Sequence, residues 1–222
     1  MRARVSERAA DRGSVPGRFR LAGPTVRAAR VSALRPAEKT ILERLDVELP
    51  SMTMLDLAVG GGRTTEHFAP RVKRYIALDD SPATLRAWSK RFSGAPYEFL
   101  LGDARTLPFN DHTFDFVLFA HNGIDYVDRD GRLRALREVR RVARAGGTFV
   151  FSTHDLERCA PVLAPRAAAY HLWLSEQLAQ LHQAGFERVR AYSATTGAEI
   201  VSLAHECPPD RWLYFLCRAA SA

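Results

Sequence analysis

The sequence predicts an α/β fold, a mostly parallel sheet with helices on both faces. Three observations carry this. Short apolar runs recur at residues 53–58, 75–78, 97–101, 114–119 and 148–153, at lengths suited to buried strands. Segments with helical spacing lie between them, so strand and helix alternate as in parallel βαβ units. The first run ends abruptly in Gly60-Gly61-Gly62, where the backbone must turn sharply.

At 222 residues the chain is long enough for one α/β domain with a substantial core, and 46% hydrophobic with 26% charged residues is ordinary for a globular protein. No apolar stretch approaches the roughly 20 residues of a membrane-spanning helix, and the N-terminus shows no uncharged core of a secretory signal. Cys159, Cys207 and Cys217 form no Cys-x-x-Cys pair, which suggests neither a disulfide framework nor a zinc site and fits a reducing cytoplasm. The net charge of +7 is concentrated: residues 1–30 hold eight arginines against Glu7 and Asp11, while the 24 basic and 23 acidic residues that follow nearly cancel. Residues 1–35 are therefore expected to be a basic, mobile segment, with 36–222 forming a single domain. A solvated tail, an arm for an anionic partner and an organelle transit peptide all remain open for that segment.

Each element has its own signal. From Pro36 the spacing of Ile41, Leu42 and Leu45 predicts a helix closed by Pro50. Residues 64–68 read as the first turns of a helix after the glycine turn. Strand two ends at Asp79-Asp80, where Ser81 suits an N-cap and Pro82 the first helical position of residues 83–92. Gly102-Asp103 stops strand three, and the unbroken apolar content of 114–119 predicts a strand covered on both faces. Residues 130–143 form an amphipathic helix with Leu133, Leu136, Val139 and Val142 inside. Its Arg132, Arg134, Arg137, Arg140, Arg141 and Arg144 read as a solvated face. Residues 154–170 lack a clean period, 170–184 are helical, and 186–193 and 212–217 are closing strands around an irregular 196–210.

Such sheets bind ligands beyond the carboxyl ends of their strands. The glycine turn, Asp79, Asp103 and the residues after Phe119 all converge there. A dinucleotide site is one candidate, but read from Gly60 the Gly-x-Gly-x-x-Gly pattern meets Thr65 in its third glycine place, and read from position 58 it begins with Ala and meets Arg63.

Leu55-Asp56-Leu57-Ala58-Val59-Gly60-Gly61-Gly62, Ala77-Leu78-Asp79-Asp80-Ser81-Pro82, Gly102-Asp103-Ala104 before Leu107-Pro108-Phe109, Phe114-Asp115-Phe116-Val117 and Arg141-Val142-Ala143-Arg144-Ala145-Gly146-Gly147 occur in this order. The set resembles the motifs of class I S-adenosylmethionine-dependent methyltransferases of the small-molecule type, over roughly residues 37–153. The resemblance implies a Rossmann-like seven-stranded sheet, order 3-2-1-4-5-7-6, with the last strand antiparallel. It implies S-adenosylmethionine as cofactor and a small-molecule methyl acceptor as partner, with neither membrane nor nucleic acid, in a cytoplasmic monomer or homodimer. By matching position, Asp56, Ala58, Gly60, Gly62, Asp79, Asp80, Asp103, Ala104 and Ala120 are the cofactor-contacting set. Asp56 would steady the turn or reach the cofactor's amino group, Asp79 would accept from the ribose hydroxyls, and Asp103 with the Ala104 N–H would read the adenine edge. Ala58 stands where the family has Gly, which implies a negative φ there. A non-catalytic protein of this fold and an RNA or protein methyltransferase are the alternatives.

The sulfonium is already activated, so a base is needed only for an acceptor that arrives protonated. In the loop after strand four His121 is the candidate base and Asn122 the residue that orients the acceptor, with His154 after strand five a second candidate base. No metal is expected, because Asp125, Asp128 and Asp130 lack a later Asp-Asn partner. Residues 154–170 and 196–210 with the N-terminal segment would form a lid.

Overall fold

The computed structural model describes residues 33–155, 171–201 and 212–221. Most of the expected basic segment and lid, including Cys159 and Cys207, lies outside the described residues. Eight strands form one sheet: β1 (Thr53–Leu57), β2 (Arg74–Asp79), β3 (Glu98–Leu101), β4 (Phe114–Phe119), β5 (Ala143–His154), β6 (Phe186–Ser193), β7 (Glu199–Ile200) and β8 (Trp212–Ala219). Their order is β3-β2-β1-β4-β5-β8-β6-β7. The pairings from β3 to β5 are parallel, and β8 runs antiparallel to both β5 and β6. This is the expected order with one correction. Two residues of the irregular segment, Glu199 and Ile200, pair with Tyr192 and Ala191 and add an eighth edge strand too short to leave a period.

The strands are buried on both faces because successive side chains point to opposite sides. Met54, Phe116, Leu118, Val150, Tyr214 and Leu216 face α1 (Pro36–Leu45), α2 (Thr65–Phe68) and α3 (Pro82–Arg91). Leu55, Leu57, Val117, Phe149, Phe151 and Phe215 face α4 (Arg129–Val142) and α5 (Leu174–Gln183). Helix α3 starts as the sequence requires, with the Ser81 hydroxyl accepting from the Thr84 N–H at 3.3 Å and Pro82 in its first turn. Helix α4 starts on Asp128, whose carboxylate accepts from the Gly131 N–H at 2.7 Å. It stops at Val142, ahead of the glycine pair, because Ala143 joins the sheet beside Phe114.

The arginines of α4 are only in part a solvated face: Arg134 and Arg137 are exposed as expected, and Arg132, Arg140 and Arg141 are not. Arg132 is fully buried, with Nη1 donating to the Ile124 carbonyl at 3.0 Å and to Asp125 Oδ1 at 3.1 Å. Its Nη2 donates to Thr153 Oγ1 at 3.3 Å and to Gln177 Oε1. Arg140 donates to the carbonyls of Gly185 and Ala220, and Arg141 to those of Leu107 and Phe109. A guanidinium offers five donors in a rigid fork, so it can tie a helix to several loop carbonyls at once. Helical spacing could not separate Arg132 from its exposed neighbours, since its partners come from 7, 21 and 45 residues away.

Removing one partner of a buried ion pair leaves a charge without compensation. Arg132→Met should therefore cost about 3–5 kcal/mol, read as a lower urea midpoint with an unchanged slope.

Candidate active site

The turn after β1 is set by two carboxylates. Asp56 is 1% exposed and accepts from Tyr75 Oη at 2.6 Å and Thr64 Oγ1 at 2.7 Å. Burial pushes its pKa up to about 6, against the pull of the two hydroxyls and Arg63. Asp56 thus faces the turn ahead of helix α2, where both of its hydroxyl donors lie. Asp79, 2% exposed, closes the same turn from strand β2: Oδ2 accepts from the Gly60 N–H and Oδ1 from the Ser81 N–H, both at 3.0 Å. Burial raises its pKa and these backbone donors lower it, with burial the stronger effect. Gly62 has φ +77°, and a Cβ there would meet the Phe92 ring at 2.5 Å, so no other residue fits the inner side of the turn.

Ala58 departs from expectation. Its φ is +51°, in the left-handed region, where a negative φ was expected. The ladder from Leu57 to the Val59 N–H, which donates to the Leu78 carbonyl at 3.4 Å, keeps the chain on the path a glycine would take. The added methyl is accommodated because its neighbour across the cleft is Gly123, where a Cβ would come within 3.0 Å of the Ala58 Cβ.

A cleft of about 510 Å³, part of it open solvent, lies over the carboxyl ends of β1 to β4. Of the expected cofactor set, Ala58, Asp79, Asp80, Asp103 and Ala104 line it, while Asp56, Gly60, Gly62 and Ala120 sit behind or beside the wall. Phe119, Gly123, Tyr126 and Val127 complete it from the loop after β4, whose apolar residues carried no motif to single them out. Asp80 rises to about pKa 6, through burial and then the charges of Asp79 and Asp103. Asp103 is partly buried, which would raise its pKa, but the Arg105 side chain and backbone N–H hold it below its usual value. Three acids thus share one pocket wall, and only Asp103 has a guanidinium beside it at hydrogen-bond distance.

Beyond Gly123 the wall continues into the other expected residues. His121 and Asn122 are consecutive left-handed residues, φ +56° and +58°. Such strain persists only where surroundings over-determine it. Asn122 shows how: its N–H donates to Ser152 Oγ at 2.8 Å, and that hydroxyl donates back to Asn122 Oδ1 at 2.9 Å. His121 has an exposed edge, while its packed side, with the charges of Arg63 and Arg35, holds its pKa below the usual imidazole value. Trp212, opening β8, collects the groups around it: Arg35 lies 3.6 Å over its ring, His154 stacks at 5.5 Å and His121 meets it edge-on at 5.6 Å. Asp125 gathers His154 and His171, at 3.0 and 3.5 Å from its Oδ2, and not the Asp128 and Asp130 near it in sequence. Asp125, His154 and His171 are three donors of a kind that can hold a metal ion.

Two measurements follow. The folded pKa of Asp56 lies above its ordinary value, so its contribution to stability is fully present below about pH 4 and is lost as pH rises through about 6. The loss should approach about 3 kcal/mol, seen as the difference in unfolding free energy between wild type and Asp56→Asn across that interval. Ala58→Gly should stabilise by about 1 kcal/mol by releasing the left-handed strain, seen as a higher melting temperature.

Residues 55–151 match the model of a family described as "Methyltransferase domain". A demethylmenaquinone methyltransferase of Thermobifida fusca is 41% identical over 100 residues, which are 44% of this chain and 41% of that protein. One of Corynebacterium urealyticum is 35% identical over 141 residues, 63% of this chain and 56% of that protein. The chain thus spans about half the length of these curated relatives. Among solved structures, the methyltransferase bound to the Trm112 methyltransferase activator of Haloferax volcanii superposes with TM-score 0.68 at 22% identity, over 84% of this chain and 90% of that one. An S-adenosylmethionine-dependent methyltransferase of Clostridium acetobutylicum gives 0.69 at 16% identity, over 84% and 92%, a likeness of fold alone. With the ordered motifs, the parallel sheet and its antiparallel end, the chain shares the Rossmann-like fold of these methyltransferases, and its residues 55–151 match the methyltransferase-domain model.

Proposed function

We propose that the chain transfers a methyl group to a small aromatic acceptor bearing a hydroxyl group, of the reduced-quinone type. The observation that carries the transferase reading is the convergence of Asp79, Asp80 and Asp103 with the glycine turn on one cleft. S-adenosylmethionine fits that lining. Asp79 and Asp80 offer carboxylate oxygens to ribose hydroxyls, and Leu78, Phe119 and Val127 offer apolar walls to a flat base, with Asp103 and Ala104 at its edge. When bound, the cofactor supplies an activated methyl group, so the chain's own task is alignment and exclusion of water.

The acceptor end lies past Gly123, at His121, Asn122 and Trp212. Trp212, His121 and His154 present ring faces and edges to a planar acceptor. Asn122, fixed through Ser152, is suited to orient an acceptor oxygen. The names of the Thermobifida and Corynebacterium relatives support the quinone class. One methyltransferase domain from residue 36 onward, a cytoplasmic site of action and a monomeric or homodimeric state belong to the same proposal. Among the described residues, no helix is long and apolar enough to cross a membrane.

Calorimetric titration tests the cofactor half. Wild type should bind S-adenosylmethionine and its demethylated product in preference to NAD, and a preference for NAD would overturn the reading. Asp79→Asn keeps the size of the side chain but loses the charge and one of the two accepting oxygens, and should weaken binding by about 1.5–3 kcal/mol.

A further inference from the structure

We propose that His154 is the base that takes the acceptor's proton, held in position by Asp125. The inference rests on the transferase reading and adds the residue that makes a protonated acceptor reactive.

His154 is the last residue of β5, at the carboxyl edge of the sheet, and its side chain is about a quarter exposed at 28%. Asp125, from the loop after β4, is 1% exposed and faces it. Asp125 Oδ2 lies 3.0 Å from His154 Nδ1 and accepts from the His154 backbone N–H at 3.1 Å, so imidazole and main chain are gripped by one oxygen. The other oxygen accepts from Arg132 Nη1 at 3.1 Å and from the Thr153 hydroxyl. These contacts keep the carboxylate ionised despite its burial.

An ionised carboxylate can only accept. The His154 proton therefore sits on Nδ1, and the Nε2 lone pair points away from Asp125. Asn122 Nδ2 lies 3.0 Å from Nδ1 and 3.3 Å from Nε2. It therefore sits against the ring between the two nitrogens and in line with neither. With Nδ1 protonated, Nε2 is the ring's acceptor, its lone pair in the ring plane while Trp212 stacks on the face. The charged and titratable groups facing His154 are Asp125, Arg132 behind it, and His171, whose Nδ1 is 3.5 Å from the same Asp125 oxygen.

His121 lacks this arrangement. Its charged neighbours include Arg63 and Arg35, which disfavour the imidazolium a base must become. The Asp125–Arg132 pair offers a nearly neutral, rigid support to His154 instead.

In the proposed step the acceptor's hydroxyl hydrogen-bonds to Nε2. The O–H bond breaks, its electron pair stays on oxygen, and the proton passes to Nε2, giving an imidazolium paired with Asp125. The Asn122 side-chain N–H beside the same ring donates to the new oxyanion. In a phenol this charge spreads over the ring, raising the reactivity of oxygen and ring carbon alike. His154 touches the acceptor and is the catalytic residue; Asp125 is a positioning residue.

The test has three readouts on the full chain. Titration with S-adenosylmethionine should show equal affinity in wild type, His154→Asn and Asp125→Asn; failure of wild type to bind would sink the transferase reading. Nitrogen-15 spectra of the imidazoles should show His154 with its proton on Nδ1 in wild type, shifting toward the Nε2 tautomer in Asp125→Asn. A wild-type Nε2 tautomer would overturn the proposal whatever the acceptor. With reduced demethylmenaquinone as probe, kcat of His154→Asn should fall about 10²–10⁴-fold at unchanged KM for S-adenosylmethionine. Transfer at the wild-type rate, or activity abolished by chelation and restored by zinc, would refute it. A wild type inactive on this probe would reject the quinone class and leave the tautomer to decide.

Discussion

Carboxylates with almost no access to water dictate how the loops of this protein are arranged. Glu38, Asp56, Asp79 and Asp125 are each no more than 2% exposed. A buried charge is tolerated only if it is paired or well hydrogen-bonded. Each of these acids therefore conscripts donors from other segments. Asp56 takes hydroxyls from the residue before α2 and from β2, Asp79 takes N–H groups from both sides of the first crossover, and Asp125 takes a guanidinium from α4 and an imidazole from β5. The sheet gives the site its location, and the acids give the loops over it their shape.

The two ends of the cleft are built differently. The end proposed for the cofactor is defined by backbone: the glycine turn, the Ser81 N-cap and the Gly102-Asp103-Ala104 bend all follow closely on strands. The end proposed for the acceptor is defined by side chains that meet around Trp212 from the loop after β4, from β5, from β8 and from the segment before α1. Their separations in sequence run to well over a hundred residues. The left-handed pair His121-Asn122 joins the two ends, and its strain is offset by the Ser152 hydroxyl, which bonds both the main chain and the side chain of Asn122.

This division explains what could be read from the sequence. Apolar runs, Ser81-Pro82, Gly102-Asp103 and the glycine turn are local signals, and they located the strands, α3 and one wall of the cleft. The place of Asp79, Asp80 and Asp103 on that wall was legible because each ends or closely follows a strand. Arg132 was not, since helical periodicity reports a face and not a partner 45 residues away. The Asp125–His154 contact was equally hidden, and Asp125 was weighed only against the acids next to it in sequence. The positive φ of Ala58 escaped because residue type argues against it, and only the register of β1 with β2 enforces it.

Glu38 carries one more consequence. It sits in α1, seventeen residues before the matched methyltransferase segment begins at 55, yet it forks with Arg63 of the glycine turn and accepts from Tyr214 Oη in β8 at 2.7 Å. Domain limits drawn where the family likeness starts would sever this clasp and strand Arg63 beside the ligand wall. A minimal catalytic unit, a fusion junction or a circular permutation of this protein must therefore keep α1 with the sheet it latches.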